Sequence, residues 1–312
     1  MIGRRLATVV VAAAMIVGAF LVRRNVIEGD DDADAGEAPA PASELVCLTE
    51  LANVCTAVAE ANEELEVTVE DAGETLDRLA EGDSVPLWLT FEPFPAMAGS
   101  LASGDVLAAS ELAVATRPEH AEELSARCDD QVLWRCIGDL VGEEWDDGSG
   151  RIAPSVGDAG NSAAALASFA STVAGYFNTV ELNRGLWEND PAFLGWVRGL
   201  VRAVPLTSLT AGTPVATMLT RPAVSVAATS DAEVAALGAR GEEAERSYPE
   251  PSMWLQAVLA APAGADVPQD LAADAAAALL AAGWDRPDPA TQTPLPSANT
   301  MLALRQLWED IQ

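Results

Sequence analysis

The sequence predicts an α/β fold, and three observations carry that expectation. Short apolar runs with strand-like patterning take turns with alanine-rich runs at helical spacing, the order that builds a parallel sheet with crossover helices. The 312 residues are 50 % hydrophobic, which is enough for a real core and too much for wholesale disorder. No fixed-period repeat runs along the chain, which argues against a solenoid or a propeller.

The first segment stands apart from that body. Residues 6–22 (LATVVVAAAMIVGAFLV) carry no charge, with Arg4 and Arg5 before them and Arg23 and Arg24 after. A helix rises about 1.5 Å per residue, so this run just spans a hydrocarbon core. Leu21-Val22-Arg23-Arg24 is a poor cleavage site, and no cysteine near residue 22 could be acylated. The expectation for residues 1–24 is therefore an uncleaved signal anchor, with a cleaved signal as the alternative. Residues 25–42 are rich in Asp, Gly, Pro and Ala and read as a solvated linker. The acidic run after the span and the cysteines place the C-terminal body outside the cell membrane, as a single-pass protein.

The body then follows element by element. Residues 43–47 read as a strand, 48–62 as a helix and 65–69 as a strand that ends at an acidic turn. Residues 72–80 read as a helix with Leu76 and Leu79 on one face. Residues 85–91 (VPLWLTF) read as a buried strand and 107–116 as another. A helix at 118–126, a short strand at 152–156 and a long helix at 163–176 come next. Residues 191–201 form a helix with Phe193, Trp196 and Val197 toward the core. Strands are expected at 214–219, 223–228 and 253–260, and helices at 231–239, 271–282 and 298–311.

Composition excludes several functions. The chain has 17 arginines, no lysine and 48 acidic residues, for a formal charge of −31. That repels bare nucleic acid, and no nucleic-acid partner is expected. Spread along the chain, the acidity fits a GC-rich genome and a salty habitat, where acidic surfaces stay hydrated; a surface for cations or a basic partner is the other reading. One histidine and four spaced cysteines exclude a Cys/His zinc cluster, and no metal or other cofactor is expected. Cys47, Cys55, Cys128 and Cys136 form two pairs, each eight residues apart. An even number with an export signal implies disulfides. Three connectivities are open; local pairing, Cys47–Cys55 and Cys128–Cys136, is the expected one. His120 lies among carboxylates and reads as a helix-surface residue. No G-x-S-x-G elbow, P-loop or G-x-G-x-x-G accompanies it. Trp134, Trp145, Trp187, Trp196 and Trp254 read as core volume.

In this order the elements resemble the type 2 periplasmic solute-binding fold. The resemblance runs through LEVTVEDAGETLDRLAEGDSVPLWLTFEP, SGDVLAASELAVATRPEHAEEL, RIAPSVGDAGNSAAALASFAS, SYPEPSMWLQAVLAAPAGA and the closing ALLAAGW and PLPSANTMLALRQLW segments. It is similar to the substrate-binding domains of actinobacterial envelope proteins, some fused to von Willebrand factor A domains. The resemblance covers roughly residues 43–312. It implies a bilobal fold with mostly parallel central sheets. Residues 43–113 and 223–312 would form lobe one and residues 114–222 lobe two. Crossover strands near 112–116 and 223–228 would join them, and a ligand would sit between the lobes at strand ends and helix N-termini.

Two groups of residues become ligand candidates. Thr90, Phe91 and Glu92 follow a strand and would face the cleft; Glu92 with Pro93 is also ordinary first-turn chemistry. Ser155, Asp158, Asn161 and Ser162 surround the turn before the long helix, where capping is the competing reading. Thr213 would line the second lobe, as would Thr217. The function implied is non-catalytic recognition of a small molecule, with the membrane, through the N-terminal helix, and a permease or envelope protein as candidate partners. The rival is an envelope scaffold that kept the fold and plugged the cleft with Phe91 or Trp88.

Overall fold

The structure is a computed structural model that describes residues 44–129, 133–205 and 213–312. The anticipated span at 6–22 and the linker at 25–42 lie outside the described residues. Among the described residues, no helix is long and apolar enough to cross a membrane.

The first layer is built where the sequence alternates. β1 (Glu44–Leu48) pairs in parallel with β2 (Glu66–Glu70) and with β3 (Trp88–Phe91). A 3-10 turn at Thr49–Leu51 leads into α1 (Ala52–Ala61), and α2 (Ala72–Ala80) follows β2. β3 continues to a short helix, α3 (Phe94–Ala98), that the periodicity did not reveal. β4 (Leu101–Thr116) is 16 residues long and begins six residues before the expected 107.

Beyond β4 lies the second half. It holds α4 (Pro118–Arg127), α5 (Leu133–Asp139), the two-residue β5 (Pro154–Ser155) and α6 (Ala163–Phe177). α7 (Arg184–Trp187), α8 (Pro191–Val201) and α9 (Pro214–Thr220) complete it, and β6 (Val226–Ser230) and α10 (Asp231–Ala239) follow. β7 (Glu245–Ser247) and β8 (Trp254–Pro262) return the chain, and α11 (Gln269–Ala281) and α12 (Ala298–Ile311) close it.

The strands run in the order β2-β1-β3-β8-β4-β6-β5, with β7 added to β4. The expected parallel character holds at β1–β2, β1–β3 and β5–β6, but β8 and β4 run antiparallel to their neighbours. The sheet is therefore mixed. Leu112–Thr116 lies beside Val226–Ser230 in antiparallel register; the expected crossover stretch 223–228 overlaps the second of these strands.

One expectation fails outright. Residues 214–219 form a helix, not a strand. Thr213 caps it by accepting from the Ala216 N–H, and Pro214 occupies the first turn, where its missing N–H costs nothing. Capping outweighed the β-branched residues that suggested a strand.

Both disulfides form with the local pairing, Cys47–Cys55 and Cys128–Cys136, with Cα separations of 6.4 and 5.6 Å. Both fall in the ordinary range for such bridges. The first ties β1 to α1 across the Thr49–Leu51 turn. A large apolar core fills the first half and the α6 side of the second. A smaller cluster of Ala115, Val204, Val215, Met218, Val224, Ala227 and Leu237 lies under β6 and α9.

Candidate functional site

In α/β sheets, ligand crevices open beyond the carboxyl ends of strands, where loops turn into helices. Four such ends converge here. β1 delivers Thr49 and Glu50, β2 delivers Asp71, β5 leads to the 157–162 turn and β6 delivers Ser230 and Glu233. Between them lies a cleft of about 570 Å³, with Leu112, Leu255 and Val156 among its apolar walls. That volume lies inside the range of about 300–1,000 Å³ typical of small-molecule sites. A second cavity of about 300 Å³ adjoins it, sharing Glu50, Thr213, Ser230 and Glu233 and adding Phe91, Arg240 and Trp284.

The cap chemistry that starts each helix also shapes the cleft. Ser162 caps α6 by accepting from the Ala165 N–H at 3.0 Å. Thr213 caps α9, and Ser230 caps α10 by accepting from the Glu233 N–H at 3.4 Å. Glu50 arrives from the other half and takes the open position at the α6 N-terminus. Its Oε1 accepts from the Ser162 hydroxyl at 2.6 Å and from the Ala164 N–H at 3.0 Å. A carboxylate suits that place, since the helix end carries partial positive charge and unpaired N–H groups. Oε2 of the same carboxylate is buried without a hydrogen-bond partner.

Glu233 stands on the α10 side. Its Oε2 accepts from the Thr229 hydroxyl at 2.8 Å, and the nearby Thr213 hydroxyl also favours its charged form. Burial pushes its carboxyl above the ordinary carboxylate range; the two hydroxyls oppose that, while the charge of Glu50 adds to it. Both glutamates are thus tied in place as acceptors.

The expected site residues divide clearly. Asp158, Asn161, Ser162 and Thr213 all line the larger cleft. Asp158 also serves its own turn, accepting from the Gly160 N–H at 3.1 Å and from the Asn161 side-chain amide at 2.8 Å. Ser155 stands behind the lining, where its buried hydroxyl accepts from the Gly157 N–H. Thr217 is fully buried and bonds back to the Thr213 carbonyl.

The 90–92 group does not gather at the larger cleft. β3 lies between β1 and β8 and is buried at every residue; Thr90 is fully buried, and its hydroxyl has no partner. Phe91 lies against Trp284, with ring centroids 5.6 Å apart, and reaches only the smaller cavity. Glu92 donates its backbone N–H to Gln256, and its side chain is absent from both linings. Trp88 is fully buried and plugs nothing.

Sequence reasoning missed Glu50, Asp71, Ser230 and Glu233. A signal was present in each case: a polar residue within three positions of a strand's end, at the junction where a helix or 3-10 turn begins. His120 also departs from expectation. It is buried, stacked on Trp145 with centroids 4.2 Å apart, and its Nε2 is hydrogen-bonded to Ser149 Oγ at 2.8 Å. It is a packing residue remote from the cleft. Trp134, Trp145 and Trp187 are buried as expected, while Trp196 and Trp254 are partly covered.

The two sides of the cleft also touch at its rim. Gly73 donates its N–H to the Asn161 carbonyl, and Arg305 of α12 donates to the Gly160 carbonyl at 3.0 Å while reaching Asp77 of α2.

Comparison with known proteins places the fold. No sequence family matches the chain, and no curated protein does. Among solved structures, the periplasmic binding protein AfuA from Actinobacillus pleuropneumoniae, with fructose-6-phosphate bound, superposes with a TM-score of 0.58 at 14 % identity. That match covers 86 % of this chain and 97 % of AfuA. The sulfate-binding protein SubI from Mycobacterium tuberculosis matches at 0.53 and 15 % identity, over 83 % and 95 % of the two chains. A periplasmic thiamin-binding protein matches at 0.53 and 14 %, over 90 % and 98 %. The chain has the bilobal α/β fold of these periplasmic solute-binding proteins.

Proposed function

We propose that the protein is a non-catalytic receptor that captures a small molecule between two lobes, residues 43–113 with 223–312 and residues 114–222, outside the cell. In this reading residues 6–22 hold it to the membrane, and a permease or another envelope protein receives the ligand or senses its capture. One observation carries the reading: a cleft of about 570 Å³ is lined by polar side chains from four strand ends. The scaffold alternative expects this space to be plugged by Phe91, Trp88 or other apolar side chains, and neither Phe91 nor Trp88 lines the larger cleft.

Thermal unfolding of the full chain against a ligand panel tests the proposal. The panel holds sugars, amino acids, oxyanions, metal cations and amines, each at low and high salt. A ligand at one hundred times its Kd adds about 2.7 kcal/mol, so a saturable rise in Tm for one chemical class is expected. A flat response to every class, from a folded protein, would sink it.

A further inference from the structure

We propose that the cleft takes a small organic cation that donates N–H hydrogen bonds, an alkylammonium or a guanidinium, seated between Glu50 and Glu233. This rests on the receptor reading above and deepens it.

Several helix-end donors that could recognise an anion are already used: at α6 they serve Ser162 and Glu50, at α9 Thr213, and at α10 Ser230. The charged groups that line the cleft are all carboxylates. Oε2 of Glu50 is buried and unpartnered although Oε1 of the same group is doubly bonded. A buried carboxylate oxygen left without a donor is costly, and a bound N–H would satisfy it. Glu233 supplies a second carboxyl, and Asp71 stands exposed at the mouth.

Charge points the same way. Among the described residues that line the larger cleft there is no arginine to clamp an oxyanion. Arg240 borders the smaller cavity, where its guanidinium faces Glu242 at 3.6 Å. An anion would enter against carboxylates with no cation before it. A neutral sugar would leave the carboxyl pair uncompensated. A bare metal ion is disfavoured by the donor set: among the described residues, no three His, Cys, Asp or Glu side chains gather closely enough to hold one. Burial and the charge of Glu50 already hold the Glu233 carboxyl above its ordinary range, a cost that a cation between them would relieve.

The test is calorimetric titration of the full chain with putrescine, agmatine, choline, sulfate and glucose-6-phosphate. It is run at low salt and at about 1 M NaCl, where exposed charges are screened within roughly 3 Å. Putrescine or agmatine is expected to bind saturably at both salt concentrations. Choline, a cation with no N–H, should bind at least tenfold more weakly. Glu50→Gln and Glu233→Gln should each weaken the amine at least tenfold, with circular dichroism confirming that both variants remain folded. Should Glu50→Gln fail to fold, Glu233→Gln alone decides. Amine binding that vanishes in high salt, or survives both substitutions, is surface condensation on an acidic protein and overturns the proposal. Saturable binding of sulfate or glucose-6-phosphate without the amines overturns the cation and leaves the receptor standing. No binding by any probe counts against both.

Discussion

Gly73 donates its backbone N–H to the Asn161 carbonyl at 2.8 Å, so the first turn of α2 meets the 158–162 turn main chain to main chain. A Cβ at residue 73 would lie 2.7 Å from the Gly160 carbonyl oxygen and 2.8 Å from the Asn161 Cα. These are backbone atoms and cannot rotate aside. Gly73→Ala is therefore expected to part the two sides at the rim and to cost about 1–3 kcal/mol, the usual range for overpacking. Gly195→Ala is the control. It lies in α8 with nothing within 4 Å of the added methyl, and should stabilise by roughly 0.5–1 kcal/mol through helix propensity. Urea unfolding of both variants checks this. Equal shifts of the same sign would contradict it.

Ser162 serves two masters, the α6 cap and Glu50. Ser162→Ala should cost about 1–2 kcal/mol, toward the upper end for a lost cap, because a carboxylate loses a donor as well. A double-mutant cycle with Glu50→Gln should then show coupling of at least about 0.5 kcal/mol. Strict additivity would mean that the two side chains act independently.

Stability should depend on pH through Glu233. Its folded carboxyl lies above the value of 4.5 that it has when unperturbed. The folded state therefore binds the proton more tightly than the unfolded chain does. The stabilisation from that proton is complete below the ordinary value and is lost as pH rises through the raised one. The groups that act on it are Glu50, Arg240 and the hydroxyls of Thr213 and Thr229. Glu233→Gln removes the ionisation, so its Tm should gain on the wild type as pH climbs from about 4 to 8, by about 1.4 kcal/mol for each unit of pKa difference. Parallel Tm–pH curves for the two proteins would refute this.

The two disulfides should differ in what their loss does. Each closes a short loop, and removing either should cost roughly 2–3 kcal/mol. Cys47–Cys55 braces the turn that carries Thr49 and Glu50, so replacing both cysteines by alanine should also weaken ligand binding. The Cys128→Ala, Cys136→Ala pair, away from the cleft lining, should lower Tm and leave affinity within about twofold, within roughly 0.5 kcal/mol. Equal losses of affinity in the two variants would show that the brace acts globally.

Several elements could be read from residues alone because local chemistry and tertiary need agree there. α8 begins after Asp190, which caps it, with Pro191 in its first turn, and buries Phe193, Val197 and Leu200. α2, α10 and α12 likewise keep the bounds that their periodicity sets. Where the two disagree, the pattern misled. Residues 214–219 look extended by composition, yet the Thr213 cap and Pro214 start a helix. β4 outruns its apolar stretch because its first residues are ordered by pairing with β8, which no local pattern encodes. The cleft was half visible for the same reason. The turn at 158–162 announces itself by its small polar residues, whereas Glu50 and Glu233 lie 183 positions apart and become neighbours only through the order of strands. Thr90 shows the converse: a hydroxyl after an apolar run looked available, and the burial of both faces of β3 took it out of reach.

β4 has one more consequence. Its 16 residues pass from pairing with β8 to pairing with β6 and β7 without a break. The chain runs out along this strand and returns later beside it in β6 and β8, so a single cut does not part the two sides of the sheet. A protease that nicks the exposed turn at 241–243 should leave two fragments that still elute together and separate only in denaturant, because β8 stays paired with β3 and β4. An engineer wishing to read ligand capture by a fluorescent pair could therefore split the gene at that turn and expect the pieces to find each other.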